Sequence, residues 1–337
     1  MLSSHAKQLM LGAAAAAIFM VSSLAADAGN SSSPPKARTT NINLAVASNF
    51  YGDPSSNNSA ITDIINAFQA ANPNWTVTVT DNGATATLAA NIINGNRAKV
   101  DLFLAADTAT PLSLYLNNFR LVSSYNSPGF SLNLPLSSGS SLFSFTPPLY
   151  LFNYATGVLA LLSNTPGVDV TCETGTCGYD PTKPNQRPVA IANPALAPYG
   201  VAAQTVLTGR YGLEAPLSSN PAVVEYANIT LTLNAVLAGT DPVGFVALSA
   251  ICSDGHYPTQ GSSALAYFSI EGGTTPGTIV NNYNPLTQAG IAINNRRTSA
   301  QNTELEAFVD FLTDFTTSPS PDSPMMATLK KYCYNAP

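Results

Sequence analysis

At 337 residues the chain is long enough for two domains of ordinary size or one large one. Hydrophobic residues make up 45% and charged residues 9%, against about 25% charged in an ordinary globular domain. A sizeable core is therefore available, and the surface must be made polar by amides and hydroxyls. The formal net charge of −6 leaves no basic stripe to neutralise phosphates, which argues against nucleic acid as a partner, and any anionic ligand must be attracted locally.

Lys7 precedes an apolar run from Leu9 to Leu24, followed by the small residues Ala25, Ala26 and Ala28. Residues 1–28 read as a secretory signal peptide, cut after Ala26 or Ala28. A membrane anchor is the rival reading, but the run is short and only weakly hydrophobic. No cysteine follows it to carry a lipid. The expected location is the periplasm or the extracellular space. Residues 29–40 (GNSSSPPKARTT) form a polar linker.

The globular region opens with a buried strand over 42–50 (INLAVASNF). Ile61, Ile64, Ile65 and Phe68 share one helical face, and that helix stops at Asn72-Pro73. Trp75, Val77 and Val79 alternate with polar residues as in a strand. A second helix spans Thr85 to Asn94 and ends at Gly95, and residues 101–106 (DLFLAA) form another buried strand. The cycle returns with a strand at 189–193, helices at 199–208 and 228–238, and a strand at 243–251. Thr303 and Glu306 offer a capping box for a helix carrying Leu305, Phe308, Val309 and Leu312. Strands alternating with helices predict two similar α/β lobes with mainly parallel central sheets. Residues 122–150 and 164–187, rich in polar and turn-forming residues, break the cycle as insertions.

Four cysteines in an exported chain predict two disulfides. Cys172 and Cys177 lie together in TCETGTCG, which leaves Cys252 for Cys333. Thiolate metal binding lacks partners, since the only histidines are His5 and His256. No metal site and no cofactor are expected.

Catalytic groups are scarce. His256 sits in a polar stretch (CSDGHYP), and no nucleophile elbow, phosphate loop or dinucleotide fingerprint occurs. A binding protein is expected rather than an enzyme; a hydrolase would need His256 in a cleft. The chain instead carries small polar or aromatic residues at strand-to-helix junctions: Ser48-Asn49, Gly83-Ala84-Thr85, Pro198-Tyr199-Gly200 and Asn228-Ile229. In open α/β sheets ligands bind beyond the carboxyl ends of strands, where the N–H groups of helix first turns favour anions. Each junction alone is an ordinary helix cap.

The segments IANPALAPYGVAAQTVL (191–207), GATATLAANIINGNRAKVDLFLAAD (83–107), YATGVLAL (154–161) and DPVGFVALSAI (241–251) resemble, in the same order, the periplasmic molybdate-binding proteins of ABC importers. The resemblance covers roughly residues 41–334 outside the insertions. It implies the type II periplasmic binding protein fold, two α/β lobes joined by hinge strands near Tyr154–Gly157 and around Cys252. The lobes would comprise residues 41–153 with 253–337, and 154–252. It implies a monomer that closes on a small tetrahedral oxyanion, molybdate or tungstate, and meets an ABC permease. Carried over by position, the contacts are Ser48, Asn49, Thr85 (usually serine in the family), Tyr199 through its N–H and phenol, and the N–H of Ile229. Some members place a tyrosine where Ala247 stands, and that contact is lost here. The low surface charge and polar insertions leave a second reading open, an exported cell-surface structural or interaction protein with an altered pocket.

Overall fold

The computed structural model describes residues 40–52, 59–95, 99–118, 151–170, 172–173, 176–256, 267–271, 283–295, 297–317 and 321–337. The segment expected as a signal peptide, nearly all of the expected linker and the whole stretch expected as an insertion over 122–150 lie outside the described residues. In chain order the elements begin with β1 (Thr40–Ala47), α1 (Ser48–Tyr51), α2 (Ala60–Ala71), β2 (Trp75–Gly83), α3 (Thr85–Ile93), β3 (Leu102–Ala105), α4 (Ala109–Asn118) and β4 (Leu151–Gly157). There follow β5 (Leu159–Ser163), β6 (Cys172–Glu173), β7 (Thr176–Cys177), β8 (Val189–Ala192), α5 (Pro198–Gly209), β9 (Val223–Tyr226), α6 (Ile229–Leu237), β10 (Val243–Ala247) and β11 (Tyr267–Glu271). The chain ends with β12 (Leu286–Ala292), α7 (Ser299–Leu312) and α8 (Pro324–Lys331).

Two five-stranded sheets organise the two lobes, in the orders β2-β1-β3-β12-β4 and β11-β5-β10-β8-β9. In the first, β1 runs parallel to β2 and β3, while β12 is antiparallel to β3 and β4. In the second, β8 runs parallel to β9 and β10, while β5 is antiparallel to β10 and β11. The parallel strands carry the helical crossovers, as a parallel pair requires. The antiparallel strands are those by which the chain passes between sheets: at Val158, between β4 and β5, and again between β11 and β12.

Apolar patterning explains the layers. Ile42, Leu44 and Val46 face Phe68, Phe308 and Leu329 in the first core, and Leu161, Ile191 and Phe245 face Val206 and Leu207 in the second. Each such side chain contributes about 1.5–3 kcal/mol on burial. Ala47, Ala84 and Ala106, just beyond or at the ends of β1, β2 and β3, pack into the second lobe's core. The small side chains there let the lobes meet.

Three local expectations need correction. The strand expected over 42–50 ends at Ala47, and Ser48–Tyr51 turn as a short helix. The turn drives Phe50 between the rings of Tyr154 and Tyr334, at centroid distances of 4.8 and 5.4 Å. The strand expected over 243–251 likewise ends at Ala247, and Leu248–Ala250 form a 3-10 turn. The capping box of α7 is Thr298 with Gln301, not Thr303 with Glu306. Thr298 has the extended backbone a cap needs, whereas Thr303 lies inside the helix and donates to Ser299 O at 3.2 Å.

Cys252 and Cys333 are joined, with Cα atoms 5.9 Å apart. The bond fastens the turn after β10 to the C-terminal segment, where Asn335 and Thr156 exchange backbone hydrogen bonds of 2.9 and 2.8 Å. The backbone sets Cys172 opposite Cys177 across the β6–β7 pair. Their side chains, and with them the expected bond, lie outside what is described. No described helix is long and apolar enough to cross a membrane.

Candidate functional site

Four helix first turns meet at the inter-lobe face. In the first lobe Ser48 and Asn49 open α1 beyond β1, and Thr85 opens α3 beyond β2. In the second, Tyr199 follows Pro198 at the start of α5 beyond β8, and Ile229 opens α6 beyond β9. The first-turn N–H groups of a helix have no partner within it. At α5 the first position is proline, which has no N–H to offer, so that of Tyr199 comes next. Gly200 is required behind it: a Cβ there would overlap Ala192 O and sit 2.8 Å from its carbonyl carbon. The glycine lets α5 lie against the end of β8.

All five residues are buried, none more than 6% exposed. Contacts link them across the cleft. Thr230, next to Ile229, donates its hydroxyl to Ser48 O at 3.4 Å, and Ala86 N–H, next to Thr85, donates to Leu196 O at 3.0 Å. The Thr85 hydroxyl accepts from Ala106 N–H at 3.1 Å, which fixes its oxygen and leaves its proton to donate. In α6 the Asn228 side chain accepts from Leu231 N–H at 2.9 Å, leaving the N–H of Ile229 outside that cap.

Asn49 is held by the C-terminal segment. Its amide donates to Tyr334 Oη at 3.2 Å, and the phenol donates back to Asn49 O at 2.9 Å. Burial pushes the Tyr334 phenol up to about 12, opposed by the nearby side chains of Ser249, Asn49 and Gln288. Burial also raises the Tyr199 phenol well above its ordinary value, reinforced by Tyr334, Tyr283 and Tyr154 and opposed by Asn49. Both phenols are neutral O–H groups at physiological pH. Tyr199 Oη, Ser249 Oγ and both polar side-chain atoms of Gln288 are buried without a hydrogen-bond partner. Tyr334, Ser249 and Gln288 were not among the sequence candidates. The only sequence hint was the position of Tyr334 beside Cys333.

No lysine or arginine is among these residues, so the site is a neutral set of donors. Helix first turns and O–H groups of this kind suit an anion. His256 is exposed in the loop after Cys252, its backbone paired with Ser253, and takes no part. Among the described residues no group of His, Cys, Asp or Glu could hold a metal ion. A cavity of about 430 Å3 opens alongside, lined by Ala86, Ala106, Asp107, Pro198, Tyr283 and Thr287 among others. Its carboxylate, Asp107, is occupied in capping α4, accepting from Thr110 N–H and Oγ1 at 2.6 and 3.0 Å. A carboxylate on the wall disfavours an oxyanion there.

The profile of the bacterial extracellular solute-binding protein family matches residues 153–317. The chain is 29% identical over 277 residues to the molybdate-binding protein ModA of Azotobacter vinelandii, covering 82% of this chain and 85% of that protein. The solved periplasmic molybdate-binding protein of Azotobacter vinelandii superposes with a TM-score of 0.59 at 22% identity, over 88% of this chain and 99% of that one. The periplasmic binding protein AfuA of Actinobacillus pleuropneumoniae, with exogenous fructose-6-phosphate bound, gives 0.53 at 13% identity over 86% and 82%. These relatives are binding proteins and not enzymes, in keeping with a site built of neutral donors. The chain has the two-lobed α/β fold of the type II periplasmic binding proteins and is similar to the molybdate-binding members of that family.

Proposed function

We propose that the chain is exported, closes its lobes on a tetrahedral oxyanion, molybdate or tungstate, and presents it to the permease of an ABC importer. Ser48, Asn49 and Thr85 would donate from the first lobe, and Tyr199 and the N–H of Ile229 from the second. The observation that supports this reading is the burial of Ser48, Asn49, Thr85, Tyr199 and Ile229 in helix first turns of both lobes, with no cationic side chain among them and with Thr230 bonded to Ser48 and Ala86 to Leu196 between the lobes. The 29% identity to ModA of Azotobacter vinelandii supports the choice of ligand. The relatives' periplasmic character supports the location.

Neutral donors at fixed positions select an anion by size and protonation. A protonated oxygen on the ligand would set donor against donor, at about 1–3 kcal/mol for an unpaired buried group. Sulfate is smaller than molybdate and would leave the same bonds stretched.

Titration calorimetry with molybdate, tungstate, sulfate and phosphate tests the proposal. Binding of molybdate and tungstate, with sulfate and phosphate weaker, is the expected result. Absence of heat with both metal oxyanions, together with no thermal stabilisation, would overturn it.

A further inference from the structure

Gln288 presents an anomaly that the five expected contacts leave unexplained. It lies on β12 at the point where the register against β4 slips, between Gln288 and Ala289. The extra residue at the slip is Tyr154 on β4, so Gln288 keeps its own pleat and shares the face of the buried Leu286 two residues before it. Gln288 is 0% exposed, and neither its amide nitrogen nor its oxygen has a hydrogen-bond partner. Buried amides in native proteins are nearly always paired, because leaving one unpaired forfeits its hydration with nothing in return. Tyr199 Oη and Ser249 Oγ are unpaired in the same way.

The three groups converge. A Cβ on Gly157, at the end of hinge strand β4, would overlap Tyr199 Oη and meet Gln288 Nε2 at 2.9 Å. The absent side chain at Gly157 is thus what gives both groups their room. Ser249 and Gln288 also flank the phenol of Tyr334, which holds Asn49. Strand β12, the turn after β10, helix α5 and the C-terminal segment therefore bring neutral polar groups to one buried point beside two expected ligand contacts.

We infer that Gln288, together with Ser249 and the Tyr199 phenol, forms an inner wall of the oxyanion site and contacts the ligand directly. The inference rests on the inter-lobe site proposed above. Gln288 supplies two N–H groups, and Ser249 and Tyr199 one O–H each. All are uncharged donors that a tetrahedral dianion accepts from. The Gln288 oxygen is an acceptor that a dianion cannot pair with, so it must turn away from the ligand and present the amide nitrogen to it. The wall thereby fixes which amide atom meets the ligand and makes Gln288 a specificity-determining residue.

Sodium molybdate titrated into wild-type protein, Gln288→Leu, Gln288→Glu and Asn49→Ala tests this. Gln288→Leu keeps the volume and removes an unpaired buried amide, so the ligand-free Tm should hold or rise. Its molybdate Kd should rise about tenfold, and the molybdate-induced Tm shift should shrink. Gln288→Glu keeps the shape and adds a repelling carboxylate, so it should bind more weakly still. Wild-type affinity in Gln288→Leu, alongside weakened Asn49→Ala, would overturn the inference and leave the site reading standing. If Gln288→Leu does not fold, wild-type affinity in Gln288→Glu overturns it equally. Unchanged affinity in Asn49→Ala would instead overturn the underlying site reading.

Discussion

The N–H of Ala86 donates to the carbonyl of Leu196 at 3.0 Å, fastening the first turn of α3 in one lobe to the loop that enters α5 in the other. The Thr230–Ser48 contact at 3.4 Å is another such fastening, so one lies beside each pair of expected contacts. In the proposed function, closure would bring these same turns around the ligand. Closure of this kind about hinge strands is the usual motion of two-lobed binding proteins.

A wedge at this fastening should therefore act on affinity without touching a ligand contact. Ala86 is half-buried at the cleft, and Ala86→Trp places a ring where Leu196 approaches. The expected outcome is a Kd for molybdate raised about tenfold or more, with a larger radius of gyration by solution scattering in the presence of ligand. An unchanged radius and Kd would show that closure does not pass through Ala86.

Tyr334 holds Asn49 by two hydrogen bonds, one to its amide and one to its carbonyl. Tyr334→Phe keeps the ring beside Phe50 and removes both. The Asn49 carbonyl is then buried without its partner, at a cost of about 1–3 kcal/mol in stability. The amide also loses the bond that orients it. Thermal melting should show the stability loss, and calorimetry a several-fold weaker molybdate affinity. Lower Tm with unchanged affinity would make Tyr334 a structural residue only.

Much of this was legible in the sequence, for reasons that differ by residue. The buried runs of β1, β3, β8 and β10 announce themselves because strands covered on both faces must be apolar throughout. Pro198 and Gly200 mark α5 because each has a steric role there. Gln288 was not legible: it shares a strand face with the buried Leu286, but its polar neighbours Tyr199 and Tyr334 come from distant parts of the chain. Tyr334 was hidden for a similar reason, since its neighbourhood is made by a disulfide and a backbone bridge to Thr156, both long-range. Ser48–Tyr51 misled because SNF continues an apolar strand in composition, while the aromatic cluster around Phe50 decides the turn. The buried pair of Asp101 and Arg297, at 3.2 Å, likewise joins residues far apart in sequence.

The Cys252–Cys333 bond spans 81 residues of chain. In the chain-entropy description a loop of that length is worth about 4–5 kcal/mol. Replacing both cysteines by alanine should lower the Tm and, because Cys333 precedes Tyr334, weaken molybdate binding as well. Thermal scans and calorimetry on the double variant check the two effects separately. A lower Tm with unaltered affinity would show that the bridge to Thr156 suffices to place Tyr334.

Glu304 makes the protein's pH response testable. It is fully buried in α7, accepts from Thr76 N–H at 3.0 Å through one oxygen, and has no hydrogen-bond partner for the other. Burial raises its carboxyl above the ordinary 4.5, with Asp101 adding to the rise and the Thr40 hydroxyl and Thr76 N–H opposing it. A raised folded-state value means that the native protein holds this proton more tightly than the unfolded chain does. Its contribution is then fully present below pH 4.5 and is lost as pH rises through the folded-state value. Glu304→Gln keeps an acceptor for Thr76 and never ionises. At pH 7 the variant should melt at a higher temperature than wild type, and the difference should shrink as the pH is lowered toward 4. Melting curves across that range measure it. A difference that grows on acidification would mean that Glu304 is held as a carboxylate by partners that outweigh its burial.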